Sequence, residues 1–446
     1  MGFTFENAIS YLYNSTNYEN FANYKYERFE QDLSELRSFL NKKGFLNNLP
    51  VAVHIAGSKG KGSVAFLLEQ VLLQSSKNGK LVFPLSFTSP HYLTLMERLR
   101  FAGQNIAEEV FVYLMHELIP TFEEFRESGR GMTFFEMMVT LFFKASQYYQ
   151  PDALIVETGL GGRLDGTNVF NSEIAVITTI EREHTQLLGE TIKKIAFEKA
   201  GILKKDQIVI LAPQVYREAT QVLLEQANIK QVKKIINIAD VKFTNIREYS
   251  ETVVNTVTQE LSAIADFKLP EQIKSTNLTG RQEKRTFQGI EMIIDSAHTE
   301  NSMNSLSQSL AGKPAFSFTT CSATELDEHS SKECCNLNQQ GWAGTNSDEI
   351  LLLIGLNVDK HKIPLLQQIP ASKHIITCAF ESARCLAPLT LAQSLISLYP
   401  DRNVEVCPNS ETALNRAVRV CKNNGLRRII VAGSVYLAGE ILKQIK

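Results

Sequence analysis

Residues Gly57 to Ser63 read G-S-K-G-K-G-S and lie between an apolar run, Val51 to Ala56, and a helix-like run, Val64 to Leu73. A phosphate-binding loop is built this way. Gly57, Gly60 and Gly62 let backbone amides approach phosphate oxygens, the following helix directs the positive end of its dipole at the anion, and Lys61 adds a point charge. A nucleoside triphosphate is the ligand that suits it. The spacing departs from G-x-x-x-x-G-K-[ST]: Ile55 stands where the first glycine would be, and the hydroxyl, Ser63, follows Lys61 by two positions rather than one. By itself the stretch also reads as a Gly/Lys turn at a strand end.

Two further strand ends carry chemistry. Ile155-Val156-Glu157 runs into T-G-L-G-G-R-L-D-G-T-N, which places Glu157 at the carboxyl edge of a sheet beside a Gly-rich turn. A carboxylate there can hold Mg²⁺, which prefers hard oxygen donors and bridges to phosphate; the alternative is an acid that caps a loop. The third block is T-T-I-E-R-E-H-T-Q-L-L-G followed by T-I-K-K-I-A-F-E-K-A-G-I-L-K. Taken singly, His184 reads as a surface residue, and Lys199 as a cation complementing a helix that ends at Gly201.

The elements that must position these residues alternate along the chain. Val51 to Ala56, Leu81 to Phe83, Ala153 to Glu157, Ile174 to Ile180 and Ile208 to Ala212 read as buried strands, with helices at Glu108 to Leu118, Phe134 to Tyr149 and Thr191 to Ala200. A second series of strands follows the polar segment Ser275 to Phe287: Met292 to Ile294, Glu349 to Ile354, His374 to Thr377, Val404 to Val406 and Arg428 to Val431. The pattern predicts two α/β domains with mostly parallel sheets, the first P-loop-like and the second smaller and Rossmann-like, divided at residues 277 and 278.

The 446 residues suit two or three domains, and 44% hydrophobic with 21% charged residues is ordinary for a globular protein. A net charge of -2 argues against nucleic acid as a partner. The first ten residues lack a secretory pattern, no run of 18 apolar residues occurs, and Gly2 lacks the myristoylation context, so a cytoplasmic protein without membrane attachment is expected. All seven cysteines fall in the last third without C-x-x-C spacing, which favours free thiols; Cys334 and Cys335 sit in a polar stretch, Thr319 to Ser347, that reads as a loop insertion.

Seven collinear blocks resemble the folylpolyglutamate synthases and dihydrofolate synthases of the Mur ligase superfamily: H-I-A-G-S-K-G-K-G-S, F-T-S-P-H-Y-L-T-L-M-E-R-L-R, M-T-F-F-E, V-E-T-G-L-G-G-R-L-D-G-T-N, E-H-T-Q-L-L-G with I-A-F-E-K-A-G-I-L-K, D-S-A-H and A-G-S-V-Y-L-A-G-E. The resemblance implies an ATP-dependent ligase, an N-terminal ATP-binding domain (1–277) and a C-terminal glutamate ligase domain (278–446). It implies that Lys61 contacts the transferring phosphate and that Gly57, Ser58, Gly60, Gly62 and Ser63 cradle the nucleotide. Ser63, Ser89, Glu157 and His184 correspond to Mg²⁺ ligands, and Lys199 to a lysine carbamylated in relatives, which supplies an oxygen ligand to a second Mg²⁺. Lys61, His184 and Lys199 are the implied catalytic group. Arg281, in T-G-R-Q, matches an arginine that reaches the phosphate, and Asp295 and His298 match nucleotide contacts.

The implied reaction is amide formation: a carboxylate of dihydropteroate or a tetrahydrofolate attacks the γ-phosphate, and the amino group of L-glutamate displaces phosphate from the acyl phosphate. Positioning and charge neutralisation carry such chemistry. A monomer is expected. Phe134 or Phe135 is a candidate to stack on a pterin, with core packing as the alternative; Glu136 reads as substrate contact or helix-start acid, and Arg163 and Asp165 either orient substrate or close the loop with a salt bridge, the structural reading being preferred.

Ser58 replaces the family's threonine, D-S-A-H-T-E stands for D-G-A-H-N-P, and the segment Phe316 to Asp348 is longer and more polar. The H-Q-x-x-N block is missing; R-E-Y-S-E-T-V-V-N-T-V occupies its place, with Asn255 as a candidate remnant. That gap leaves a second reading, a non-catalytic or altered nucleotide-binding relative. A ligase for peptidoglycan precursors fits the T-S-P-H and Gly-rich blocks less well.

Overall fold

The computed structural model describes residues 2–16, 29–238, 241, 246–270, 280–311 and 349–445. The expected division at 277/278, the Thr319 to Ser347 insertion, and Cys321, Cys334 and Cys335 lie outside the described residues. The chain clusters into two compact units, Met1–Val241 with Arg247–Thr276 and Lys242–Ile246 with Asn277–Lys446.

The first unit is built on an eight-stranded sheet in the order Lys234–Asn237, Ile208–Leu211, Ile174–Ile177, Val51–Ala56, Ala153–Glu157, Pro84–Phe87, Leu99–Phe101, Gln104–Asn105. The first six strands run parallel and the last two antiparallel. Val51–Ala56 lies in the middle, paired on both sides. Its near-continuous burial follows from helices covering both faces. One face packs on Glu108–Glu127 and Phe134–Tyr149 towards one edge and on Ile192–Ala200 and Arg217–Ile229 towards the other, because Ala52, Leu154, Ala56 and Ile177 share that face in the register; Lys61–Leu73 follows Val51–Ala56 on the opposite face. The chain leaves Val51–Ala56 towards Lys61–Leu73, and the carboxyl ends of its two neighbours flank that exit.

Three expected elements shift. Leu81 to Phe83 does not form a strand of the main sheet: Leu81 and Phe83 are exposed while Val82 between them is buried, and the strand starts at Pro84. Proline suits a first strand position because its missing N–H breaks no ladder bond there. The helix from Glu108 continues beyond Leu118 to Glu127 despite Pro120, because Phe122 and Phe125 extend its buried face. Ile174 to Ile180 is strand only to Ile177, since Thr178 and Thr179 turn away to meet the glycine loop.

The second unit holds a six-stranded sheet in the order Glu283–Phe287, Ile290–Ile294, Arg428–Ala432, Ile350–Ile354, His374–Cys378, Asn403–Cys407. The first pair is antiparallel and the others parallel. Among the described residues Cys378, Cys385, Cys407 and Cys421 are free, with burial raising the pKa of each thiol. No described helix is long and apolar enough to cross a membrane.

Candidate active site

The loop Gly57 to Ser63 is fixed to the neighbouring strand end before any ligand arrives. Ser58 N and Lys59 N both donate to Thr179 O, at 2.9 and 3.1 Å, and Ser58 Oγ donates to Glu181 O at 3.2 Å. These two amides are occupied, which leaves the loop's later amides to face an anion. Gly57 has φ +148°, and a Cβ there would fall 1.8 Å from Thr178 Oγ1. Gly60 has φ +91° and opens the helix Lys61–Leu73 as its N-cap, so the helix dipole begins at the loop.

Lys61 and Lys199 meet at this loop. Lys61 Nζ donates to Gly57 O at 3.0 Å, and Lys199 Nζ donates to the same oxygen at 2.9 Å. Lys199 is almost fully buried and also pairs with Glu183 Oε1 at 2.9 Å. Burial pulls the Lys199 ammonium below its ordinary value and the cationic Lys61 and Lys59 add to this, against the attraction of Glu183. Burial alone would raise the Glu183 carboxyl, but Lys199, Lys61, Lys59 and His184 outweigh it and hold the group well below the usual carboxylate range. The site is thus a cluster of lysines around one carboxylate, suited to a polyanion.

Glu157 ends its strand nearly buried, and its Oε2 accepts from Ser89 N at 3.2 Å. A Cβ on Gly62 would come 3.5 Å from that oxygen, so the carboxylate lies against the first turn of the loop's helix, where Ser63 is also buried. Glu157, Ser89 and the glycine loop are therefore brought together. The donors suit Mg²⁺: a carboxylate and nearby hydroxyls are hard oxygen ligands. Lys199 as an ammonium is a hydrogen-bond donor and does not fit as a ligand; only a carbamate on Nζ would make it one. His184 is exposed, with φ +47°, at the N-cap of the short helix Thr185–Leu188. Among the described residues no group of three or more His, Cys, Asp and Glu side chains is arranged to hold a metal.

In the second unit, Asp295 Oδ2 accepts from Gln282 N at 2.9 Å and Oδ1 from Ala297 N at 2.7 Å, while Ser296 N donates to Gly280 O at 3.0 Å. Asp295 thereby holds the turn that carries the exposed Arg281. His298 Nδ1 is 2.7 Å from Ser296 O, just before the helix Glu300–Leu310.

The aromatic and acidic candidates separate. Phe134 is core: it is 1% exposed, stacks on Tyr13 at 5.4 Å, and has the Arg98 guanidinium over its ring, 5.2 Å from the centroid. Phe135 packs against the Gly-rich turn, where a Cβ on Gly159 would meet its ring at 2.6 Å. Glu136 takes both Arg130 nitrogens, at 2.8 and 2.7 Å, and closes a capping box with Thr133, a structural role. Arg163 pairs with Glu198 at 2.9 Å, and Asp165 accepts from Leu160 N and Thr167 N. Asn255 is an exposed position on the helix Ile246–Ala265. Two contributors escaped the sequence reading: Glu183, next to His184, and Tyr249, whose hydroxyl lies 3.0 Å from Thr179 N.

No protein-family model matches the chain. The chain is 27% identical over 433 residues to the dihydrofolate synthase/folylpolyglutamate synthase of Buchnera aphidicola subsp. Acyrthosiphon pisum, spanning 92% of this chain and 93% of that one. The chain is thus similar to dihydrofolate synthase/folylpolyglutamate synthases over nearly its whole length. A Bacillus subtilis protein of the same name is 35% identical over 197 residues, 44% of each chain. The fold is shared across the chain with a solved structure: a bifunctional folylpolyglutamate synthase/dihydrofolate synthase of Yersinia pestis, complexed with AMPPNP and a Mn ion, aligns over 99% of this chain and 98% of its own with TM-score 0.73 and 19% identity.

Proposed function

We propose that this protein is an ATP-dependent ligase that joins L-glutamate to a folate, either dihydropteroate or a tetrahydrofolate, through an acyl phosphate. The observation that carries this reading is the pair of ammonium groups, Lys61 and Lys199, on one carbonyl, Gly57 O, at the head of a glycine loop that opens a helix. With Lys199 unmodified, these two cations repel each other and an incoming phosphate chain relieves that repulsion; carbamylation of Lys199 would relieve it by exchanging one cation for an anion that attracts a metal ion. The relationship to the folate ligases, and the AMPPNP and Mn ion of the Yersinia pestis structure, support ATP with a divalent ion.

In this mechanism the loop amides after Lys59 and the helix N-terminus bind the phosphates, and Lys61 follows charge on the transferring γ-phosphoryl group. Glu157, Ser63 and Ser89 would hold Mg²⁺, which neutralises phosphate charge when bound. Lys199 takes the second-metal role only once carbamylated, and its lowered pKa favours the neutral amine that this modification needs. His184 would join Ser89 and Glu157 as a ligand of the first Mg²⁺. Arg281, Asp295 and His298 keep the nucleotide roles implied by the resemblance. The substrate carboxylate attacks the γ-phosphorus, ADP leaves, and the glutamate amino group displaces phosphate; the protein supplies positioning more than proton transfer. We further propose a cytoplasmic monomer with no nucleic-acid partner.

Phosphate release from ATP is the test, with glutamate and with dihydropteroate or tetrahydrofolate supplied separately. Release that requires glutamate and one pterin, and disappears in Lys61→Ala, supports the ligase. Nucleotide binding without turnover on either pterin favours the altered-relative reading.

A further inference from the structure

We propose that Tyr249 is a positioning residue of the phosphate loop, a role that rests on reading this loop as the nucleotide site. Tyr249 belongs to the helix Ile246–Ala265, far in sequence from the loop, and is 3% exposed. Its hydroxyl oxygen accepts from Thr179 N at 3.0 Å and lies 3.1 Å from Thr179 Oγ1, which in turn donates to Pro213 O at 2.8 Å. The same Thr179 residue offers its carbonyl to Ser58 N and Lys59 N. The tyrosine therefore holds one side of Thr179 while the loop hangs from the other.

A second contact reaches the loop directly. Gly60 adopts φ +91°, and a Cβ there would stand 3.0 Å from Tyr249 Cε1, so the ring is the surface against which the helix N-cap is seated. Between these two contacts run Ser58, Lys59 and Gly60, the residues that fix where the amide of Lys61 points and where its side chain starts. Being buried, Tyr249 does not touch ligand; it acts through Thr179 and Gly60. Burial raises its phenol to about 12, so the hydroxyl stays protonated and the contact is insensitive to pH near neutrality. The helix that carries it occupies the stretch where the family's H-Q-x-x-N block is missing from this sequence.

Tyr249→Phe removes the hydroxyl and keeps the ring. The Kd and KM for ATP should rise ~5- to 10-fold, the loss expected for one buried hydrogen bond, while KM for glutamate and pterin stays unchanged. Amide hydrogen exchange at Ser58 and Lys59 should quicken in the ligand-free variant, with the thermal midpoint close to wild type. Tyr249→Leu, which also removes the ring from Gly60, should weaken ATP further. Wild-type ATP affinity together with unchanged exchange at Ser58 and Lys59 in Tyr249→Phe overturns the assignment. Equal losses toward all three substrates also overturn it, since they indicate general destabilisation. Quickened exchange in Tyr249→Phe, when the wild-type protein itself binds no ATP, sustains the anchoring role and instead sinks the nucleotide reading.

Discussion

Replacing Glu183 by Gln isolates the electrostatic centre of the site. The wild-type pair with Lys199 is 2.9 Å long, with side-chain exposures of 12% and 1%. Breaking a buried pair by removing one partner costs about 3–5 kcal/mol because the other charge remains buried. Here the penalty has a ceiling: Lys199 already has a lowered pKa, and without Glu183 it can release its proton and stay bonded to Gly57 O as an amine. A loss of ~2–4 kcal/mol follows, which for a unit of this size lowers the melting midpoint by roughly 5–12 °C. Scanning calorimetry on Glu183→Gln, Lys199→Met and the double variant closes a double-mutant cycle. The double variant should be more stable than the sum of the single losses by ~2 kcal/mol. Additivity within about 0.5 kcal/mol would refute the coupling, and with it the argument that Glu183 holds the lysine cluster together.

Gly57→Ala should abolish nucleotide binding, because its Cβ cannot coexist with Thr178 Oγ1 1.8 Å away; adding Thr178→Ala should not restore it, since Thr178 Cβ and its carbonyl carbon would still stand at 2.9 and 3.1 Å. Titration of ATP into both variants checks this, and wild-type affinity in the single variant contradicts the loop geometry. Lys204 gives a pH signature: burial brings its ammonium down to about 7, with Arg37 adding repulsion. Between that value and the ordinary lysine value of 10.5 the unfolded chain binds the proton and the folded one does not, so stability rises with pH through this window. Denaturation of wild type and Lys204→Met at pH 7 and pH 8.5 should show a gain of at most about 1.5 kcal/mol in wild type that is missing from the variant; equal pH slopes contradict the shift.

Strand positions with strong local signals were legible in the sequence: Val51–Ala56 and Ala153–Glu157 appear with the expected limits, because both are continuous apolar runs between turn residues. Leu81 to Phe83 failed because three apolar letters in a row do not say which side chains turn inward, and only the pairing of Pro84–Phe87 with its neighbours settles the register. The loop glycines and Glu157 announced themselves by type and by their place at strand ends. Glu183 was harder to see, since an acid beside a histidine carries no signal until the fold brings Lys199 to it. Tyr249 had no local signal at all: its function arises only where one helix crosses the end of Ile174–Ile177, and a buried tyrosine in an amphipathic helix otherwise reads as core. Glu136 stayed open in sequence between substrate contact and helix-start acid, and its capping box with Thr133 and its pairing with Arg130 decide for the second.

The most direct test of the ligase reading follows the oxygen of the substrate carboxylate. Dihydropteroate or tetrahydrofolate labelled with heavy oxygen in the reacting carboxyl group is incubated with ATP, Mg²⁺ and L-glutamate, and the released phosphate is analysed by mass spectrometry. Attack of that carboxylate on the γ-phosphorus transfers one labelled oxygen to phosphate for each glutamate joined. Phosphate released without label, or ATP bound with no glutamylated product from either substrate, contradicts the account.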